Sequence, residues 1–68
     1  DKNRILVQTH NNSTFTGEIQ VFDLSGKVVW ERNIMNENYL EIPIKISGLY
    51  MVVFNGGKLN FSIKTPVF

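Results

Sequence analysis

Two apolar segments, each interrupted by a glycine-containing turn, constrain the fold more than any other feature of the sequence. The first covers residues 17–29 with its turn at 24–27, and the second covers residues 47–64 with its turn at 55–57. Both are rich in β-branched and aromatic residues, a pattern that is typical of β-hairpins. Neither contains side chains arranged for catalysis. Together they predict a small β-domain.

The length and composition limit how such a domain is stabilised. A chain of 68 residues is long enough for one domain, at the small end of what folds without covalent staples. Because cysteine is absent, neither a disulfide nor a thiolate metal site can contribute stability. Stability must come from burial of the hydrophobic residues, which make up 43% of the chain. We therefore expect a single domain spanning residues 1–68.

The charge distribution argues against several classes of partner. The net charge of +1 gives no strong field for nucleic acid, and the longest apolar run, residues 49–54, is far shorter than the ~20 residues needed to span a bilayer. We therefore expect neither nucleic-acid binding nor membrane insertion, while the oligomeric state stays open. No acidic residue follows Glu41, whereas Lys45, Lys58 and Lys64 do, so the C-terminal third is weakly basic.

Alternation of apolar and polar residues predicts an all-β chain with no helix longer than about one turn. The predicted segments are strands at 5–9, 18–23, 28–32, 39–42, 49–55 and 58–65, loops at 11–14 and 34–38, and a tail at 65–68. The least alternating strand, 49–55, is expected at the centre of a sheet. Pro43 predicts that the preceding strand ends there or lies at an edge.

The positions of individual side chains follow from the same alternation. We expect Gly26 to adopt a positive φ in its turn, and a small bulge after it to reconcile the conflicting faces of residues 28–32. The side chains expected in the core are Ile19, Val21, Leu40, Ile42 and Tyr50, with at least one of Leu49, Val52 and Phe54. Six to seven short strands at this spacing indicate a small antiparallel immunoglobulin-like β-sandwich.

The side chains that carry chemistry are sparse. His10 is the only histidine, and the six carboxylates form no obvious acid–base pair. We therefore expect no catalytic residues, no cofactor, no metal site and no enzymatic activity. Phe22, Trp30 and Tyr39 would form a sugar-stacking platform if they shared an exposed face, although packing within the strands is the commoner use of such residues.

Three phrases of the sequence carry a resemblance to a known family. The segment GEIQVFDLSGKVV at residues 17–29 resembles the I-x-V/I-Y-D-L-x-G-R/K-V-V phrase of type A C-terminal sorting domains of the bacterial type IX secretion system. Leu40-x-Ile42 followed by SGLYMV is similar to the family's I-x-L…A-G-x-Y-x-V phrase. GGK at residues 56–58 with FSIK at 61–64 resembles its closing G-G-K…K-x-V-x-K strand.

The resemblance, which runs from about Asn3 to Lys64, implies a function. It implies a non-catalytic C-terminal piece of a longer secreted protein, which directs that cargo through the periplasm to an outer-membrane translocon and the cell surface. Translocon proteins of the secretion system would be its partners. The surface that they recognise would contain Lys58 and Lys64 as exposed contacts, with Gly48, Tyr50 and Gly57 shaping the strands. The alternative is a small secreted immunoglobulin-like domain that binds protein or glycan or has a structural role.

Overall fold

The computed structural model describes residues 3–10 and 13–68, and within them the chain forms six β-strands and no helix. The strands are β1 (Arg4–Gln8), β2 (Phe15–Phe22), β3 (Val28–Glu37), β4 (Tyr39–Pro43), β5 (Gly48–Asn55) and β6 (Asn60–Val67). This confirms the all-β class predicted from the sequence. The loop predicted at residues 11–14 lies partly outside the described residues.

The strands form two antiparallel sheets that enclose one core. The larger sheet has the order β3-β2-β5-β6, and the smaller sheet pairs β1 with β4. The predicted central position of residues 49–55 is confirmed, because β5 lies between β2 and β6. Among the described residues, the core contains twelve buried apolar side chains: Ile5, Phe15, Ile19, Val21, Ile34, Leu40, Ile42, Ile44, Tyr50, Val52, Phe54 and Val67. The chain is a small β-sandwich.

The first hairpin, β2–β3, fits its sequence pattern closely. Ile19 and Val21 are fully buried, as the alternation predicted. A register shift near the turn pairs Val21 with Trp30 but Phe22 with Val28, so that one extra residue lies on β3. This is the predicted bulge, and it places Val28 and Trp30 on opposite faces of the sheet although they are two residues apart.

Several predicted boundaries are wrong, including the start of β2, which begins at Phe15 and not at residue 18. Residues 34–38 were expected to be a polar connection, but β3 continues through Glu37 because Ile34, opposite Gly17, is buried in the core. Its neighbours Asn33 and Met35 are both exposed, and because Met35 is apolar the segment shows no alternation in the sequence. The next strand, β4, begins at Tyr39 and ends at Pro43.

The predicted tail at residues 65–68 is also wrong for most of its length, because β6 extends to Val67 and Val67 is buried. Proline at position 66 suggested an end to the strand. It is tolerated because β6 is an edge strand, where a residue without an N–H can point toward solvent instead of toward a partner. The strand begins at Asn60, two residues later than predicted.

Candidate functional site

The turn between β2 and β3 is held by one carboxylate. The Asp23 Oδ1 atom accepts hydrogen bonds from the Ser25 N–H at 2.9 Å, the Ser25 hydroxyl at 2.7 Å and the Lys27 N–H at 3.0 Å. These bonds, led by the Ser25 hydroxyl and followed by the Lys27 N–H, lower the pKa of Asp23 below its ordinary value of 3.8. Gly26 supplies the positive φ of 89° that was predicted for the turn.

Leu24 is a large apolar residue of this turn that is exposed to solvent. Its side chain is 76% exposed, whereas Asp23 and Gly26 of the same turn have clear structural roles. It borders an apolar surface on the outer face of the larger sheet, where a depression of about 530 Å³ is lined in part by Phe22, Leu49, Met51 and Val53. We call these five residues the outer apolar surface. In the sequence, Leu24 is part of the D-L-x-G-R/K phrase of the family, and no separate role was predicted for it.

Tyr50 has a structural role inside the core. Its ring is buried, and its hydroxyl donates a hydrogen bond to the backbone carbonyl of Ile46, four residues upstream. A tyrosine that bonds to the backbone in this way fixes a corner where the chain enters a strand of a β-sandwich. Gly48 begins β5 beside it, where a Cβ atom would lie 3.7 Å from the Tyr50 ring. That distance is an ordinary van der Waals contact, so the corner depends on Tyr50, which offers little surface to a partner.

The loop between β5 and β6 is closed by Asn60 and two glycines. The Gly56 N–H donates to the Leu59 carbonyl at 3.0 Å and to the Asn60 Oδ1 atom at 3.1 Å, and the Asn60 Nδ2 atom donates to the Gly57 carbonyl at 3.2 Å. Gly57 has a φ of 78°, which residues with a side chain rarely adopt. The role of Asn60 was missed in the sequence, where it looked like an ordinary polar strand residue.

The two lysines predicted as contacts are both exposed on this second hairpin. Lys58 is in the loop, and Lys64 lies on the outer face of β6 opposite Met51, at the edge of the outer apolar surface. Lys64 lies four residues into β6, about 13 Å along the strand from its start at Asn60, at ~3.3 Å per residue. Among residues 3–10 and 13–68 neither lysine forms an ion pair, whereas Arg4 pairs with Glu41 and Arg32 with Glu37.

The inner face of β6 is incompletely covered. Phe61 and Ile63 point to the same side as the core but are 36% and 57% exposed, whereas Val67 on the same face is 3% exposed. A groove of about 240 Å³ lies here between β1 and β6, lined in part by Val7, Val52, Phe61 and Ile63. We call this groove the seam. At its closed end, the Asn3 N–H donates to the Phe68 carbonyl at 3.3 Å.

The three aromatic residues considered as a sugar platform do not share a face. Trp30 lies opposite Val21 on the core side of the larger sheet, and Phe22 is on its outer side. Tyr39 belongs to β4 in the smaller sheet, out of phase with the buried Leu40 and Ile42. The arrangement therefore provides no continuous stacking surface of these three rings.

Residues 3–10 and 13–68 contain no group of three or more histidine, cysteine, aspartate or glutamate side chains placed to hold a metal ion. Nor do they contain a helix long and apolar enough to cross a membrane. What distinguishes the surface is one edge hairpin with two unpaired lysines, a groove beside it and an apolar outer face.

These features define a small β-sandwich whose distinctive surfaces are suited to contact with another macromolecule. Comparison with known families identifies the class: residues 1–67 match the family described as the secretion system C-terminal sorting domain. Because the match covers nearly the whole chain, the protein belongs to this family, and the resemblance to type IX sorting domains is confirmed. Such a domain is a sorting signal carried by a secreted or cell-surface protein, and the family is not one of enzymes. No curated protein and no solved structure matches the chain.

Proposed function

We propose that this domain lies at the C-terminal end of a longer cargo protein and directs that cargo through the periplasm to an outer-membrane translocon and the cell surface. Membership of the sorting-domain family supports this proposal. In this account the folded sandwich is the sorting signal, and the secretion machinery recognises a surface of it. The domain itself performs no reaction and needs no cofactor.

The surface that we propose for recognition is the hairpin of β5 and β6, residues 48–64. Lys58 and Lys64 are its exposed contacts and select an acidic partner. Tyr50 and Gly48 shape the start of β5, and Gly57 shapes the loop that presents Lys58. The observation that carries this proposal is the combination of an edge strand with lysines that have no ion-pair partner among the described residues.

The alternative function, a secreted domain that binds protein or glycan independently of sorting, has less support. Its best sequence argument was the aromatic platform of Phe22, Trp30 and Tyr39, and those rings lie on different faces. A single half-buried Trp30 beside a loop is an ordinary feature of a small sandwich. Sorting is therefore the function that we propose.

The test is a fusion of residues 1–68 to the C-terminus of a periplasm-directed reporter, in a host that contains the type IX system. The fusion is expected to reach the cell surface. Deleting the last strand would be a poor test, because removing the buried Val67 and the β5–β6 pairing would unfold the domain. Point variants keep the fold and are preferable.

The informative variant is the double charge reversal Lys58→Glu with Lys64→Glu, which is expected to retain the reporter in the periplasm. Its control is Lys45→Glu, which reverses the charge of another exposed lysine, in the loop before β5; the single variants Lys58→Glu and Lys64→Glu match its charge change. A wild-type fusion that is folded and intact yet stays in the periplasm would defeat the sorting function. Normal delivery of the folded double variant would show that the lysines are not the contacts.

A further inference from the structure

Within the part of the chain that the structure describes, a regular set of backbone groups on β6 has no partner strand. In an antiparallel ladder, residues alternate between those whose N–H and C=O face the neighbouring strand and those whose groups face away. The Gly56 N–H bonds to the Leu59 carbonyl, which fixes the phase of the β5–β6 ladder. The backbone groups of Asn60, Ser62 and Lys64 therefore point away from β5. Pro66 has the same phase. The N–H that proline lacks would point away from β5, so its absence removes no hydrogen bond from the β5–β6 ladder.

The same reasoning applies to β1, the edge strand of the smaller sheet. The Thr9 N–H donates to the Asn38 carbonyl, and the Ile44 N–H donates to the Asn3 carbonyl. These bonds fix the phase of the β1–β4 ladder, and the backbone groups of Leu6 and Gln8 consequently point away from β4. The free edges of both sheets thus border the seam.

The seam is closed at one end and open beside Phe61 and Ile63. The hydrogen bond from Asn3, just before β1, to Phe68, just after β6, joins the ends of the two strands, which form no ladder with one another among the described residues. Along β6 from this closed end, the exposed fraction of the inward side chains rises from 3% at Val67 to 57% at Ile63 and is 36% at Phe61. The open part has a volume of about 240 Å³ and an apolar floor at Val52. A cavity of ~150 Å³ holds a benzene molecule, so the groove has room for one or two apolar side chains.

We propose that the seam receives an extended strand of the partner protein, which pairs with the free edge of β6 between Asn60 and Thr65. This inference rests on the proposed function and identifies how the partner is held. The guest strand supplies backbone groups to Asn60, Ser62 and Lys64, while its inward side chains cover Phe61 and Ile63. Pairing ends before Pro66, which offers no N–H.

The charges beside the seam specify the chemistry of the guest. Neither β1 nor β6 contains an acidic residue, and Lys58 and Lys64 flank the free edge. A strand with apolar residues on one face and acidic residues on the other would match both the groove and the lysines. The same lysines disfavour the pairing of β6 with the β6 strand of a second copy, because charged residues on an edge discourage self-association.

The test uses the 68-residue protein, labelled with ¹⁵N, and a synthetic peptide of alternating valine and glutamate. Peptide binding is expected to shift the amide resonances of Asn60, Ser62 and Lys64 and to protect them from hydrogen exchange. A control peptide of alternating valine and lysine is expected not to bind. Perturbation confined to the outer apolar surface, equal binding of the two peptides, or no binding of the acidic peptide would overturn the proposal.

Two variants test the groove without touching the lysines. Ser62→Pro removes one outward N–H at a position with the same phase as Pro66, and it is expected to weaken peptide binding about tenfold. Ile63→Glu places a carboxylate in the groove and is expected to abolish binding. Its matched control, Met35→Glu, makes the same charge change at a 74% exposed position on β3 and is expected to bind normally. Folding of each variant is checked by its amide spectrum, and unchanged affinity in the folded Ile63→Glu protein would refute the proposal.

The reporter assay separates this proposal from the sorting function. If the wild-type fusion reaches the surface and the folded Ile63→Glu fusion does so equally well, sorting stands and strand insertion is refuted. If the peptide binds in the seam but the wild-type fusion stays in the periplasm, the seam binds strands without being a sorting site, and the sorting function is refuted. Delivery that is lost with Ile63→Glu and retained with Met35→Glu supports both.

Discussion

The two hairpins of this domain have similar turns but different surroundings. Each has a glycine with positive φ in its loop, Gly26 at 89° in the β2–β3 hairpin and Gly57 at 78° in the β5–β6 hairpin. In the first, the inward Ile19 is fully buried, because β2 lies between two strands and beneath the smaller sheet. In the second, the inward Ile63 is 57% exposed. The sandwich is closed around β2 and open along β6.

This difference suggests separate roles for the two hairpins: the buried β2–β3 hairpin contributes mainly to stability, and the open β5–β6 hairpin is the one proposed for recognition. Small domains have little apolar surface to spare, and side chains left half exposed on an inward face contribute little to folding. Natural sheets usually cover or charge their edges, and β6 has Lys64 and Pro66 but no covering strand at Phe61 and Ile63. The contrast predicts that the same substitution has different consequences in the two hairpins.

The largest expected effect compares Ile19→Ala with Ile63→Ala. Truncating the fully buried Ile19 is expected to lower the free energy of unfolding by about 2–5 kcal/mol, because it leaves a cavity in the core. Truncating the exposed Ile63 is expected to cost less than about 1 kcal/mol, since much of its surface is already in water. Urea denaturation monitored by tryptophan fluorescence gives both values. Equal losses would show that the seam is closed in solution.

The corner at the start of β5 gives a smaller effect. Tyr50→Phe removes the hydrogen bond to the Ile46 carbonyl while keeping the ring, and is expected to cost about 0.5–1.5 kcal/mol. The control is Tyr39→Phe, because Tyr39 is 46% exposed and its hydroxyl has no hydrogen-bond partner among the described residues. Thermal denaturation of the two variants measures the difference. A Tyr50→Phe variant as stable as the wild type would mean that the corner contributes nothing to folding.

The smallest effect concerns pH and the first hairpin. Because hydrogen bonds from Ser25 and Lys27 lower the pKa of Asp23 in the folded state, its carboxylate stabilises the fold above its ordinary pKa of 3.8. That contribution is lost as the pH falls through the lowered folded pKa. Stability of the wild type is therefore expected to decrease more steeply below about pH 4 than that of Asp23→Asn.

Denaturant unfolding at a series of acidic pH values tests this expectation. The matched control is Glu18→Gln, which removes an exposed carboxylate on β2 that no turn hydrogen bond uses. Parallel pH profiles for the wild type and Asp23→Asn would contradict the role assigned to Asp23.

Much of the fold follows from local pattern, and the failures have a common cause. The sequence around Ile19 and Val21 predicted most of β2 and the bulge that follows it on β3. The prediction was possible because one short segment contains both the alternating residues and the glycine turn. The segment around Ile34 was misjudged because a single inward isoleucine among polar residues gives no period. The end of β6 was misjudged because Pro66 looks like a strand terminator unless the strand is known to be at an edge.

The candidate site was less predictable than the fold. Lys58 and Lys64 could be named from the sequence because they resemble a family phrase and stand in a segment without acids. The seam could not be predicted from the sequence, since its existence depends on how far the smaller sheet covers the larger one. Exposure of Leu24 is likewise a property of the folded surface, and so is the role of Asn60 in closing its loop.

The central claim is that β6 has a free edge facing the seam, and amide hydrogen exchange of the 68-residue protein tests it most directly. The amides of Ser62 and Lys64 point away from β5, whereas those of Ile63 and Thr65 face it. We predict fast exchange at Ser62 and Lys64 and slow exchange at Ile63 and Thr65, alternating along one strand. Equal protection of all four amides would contradict the claim, because it would mean that the edge is already paired.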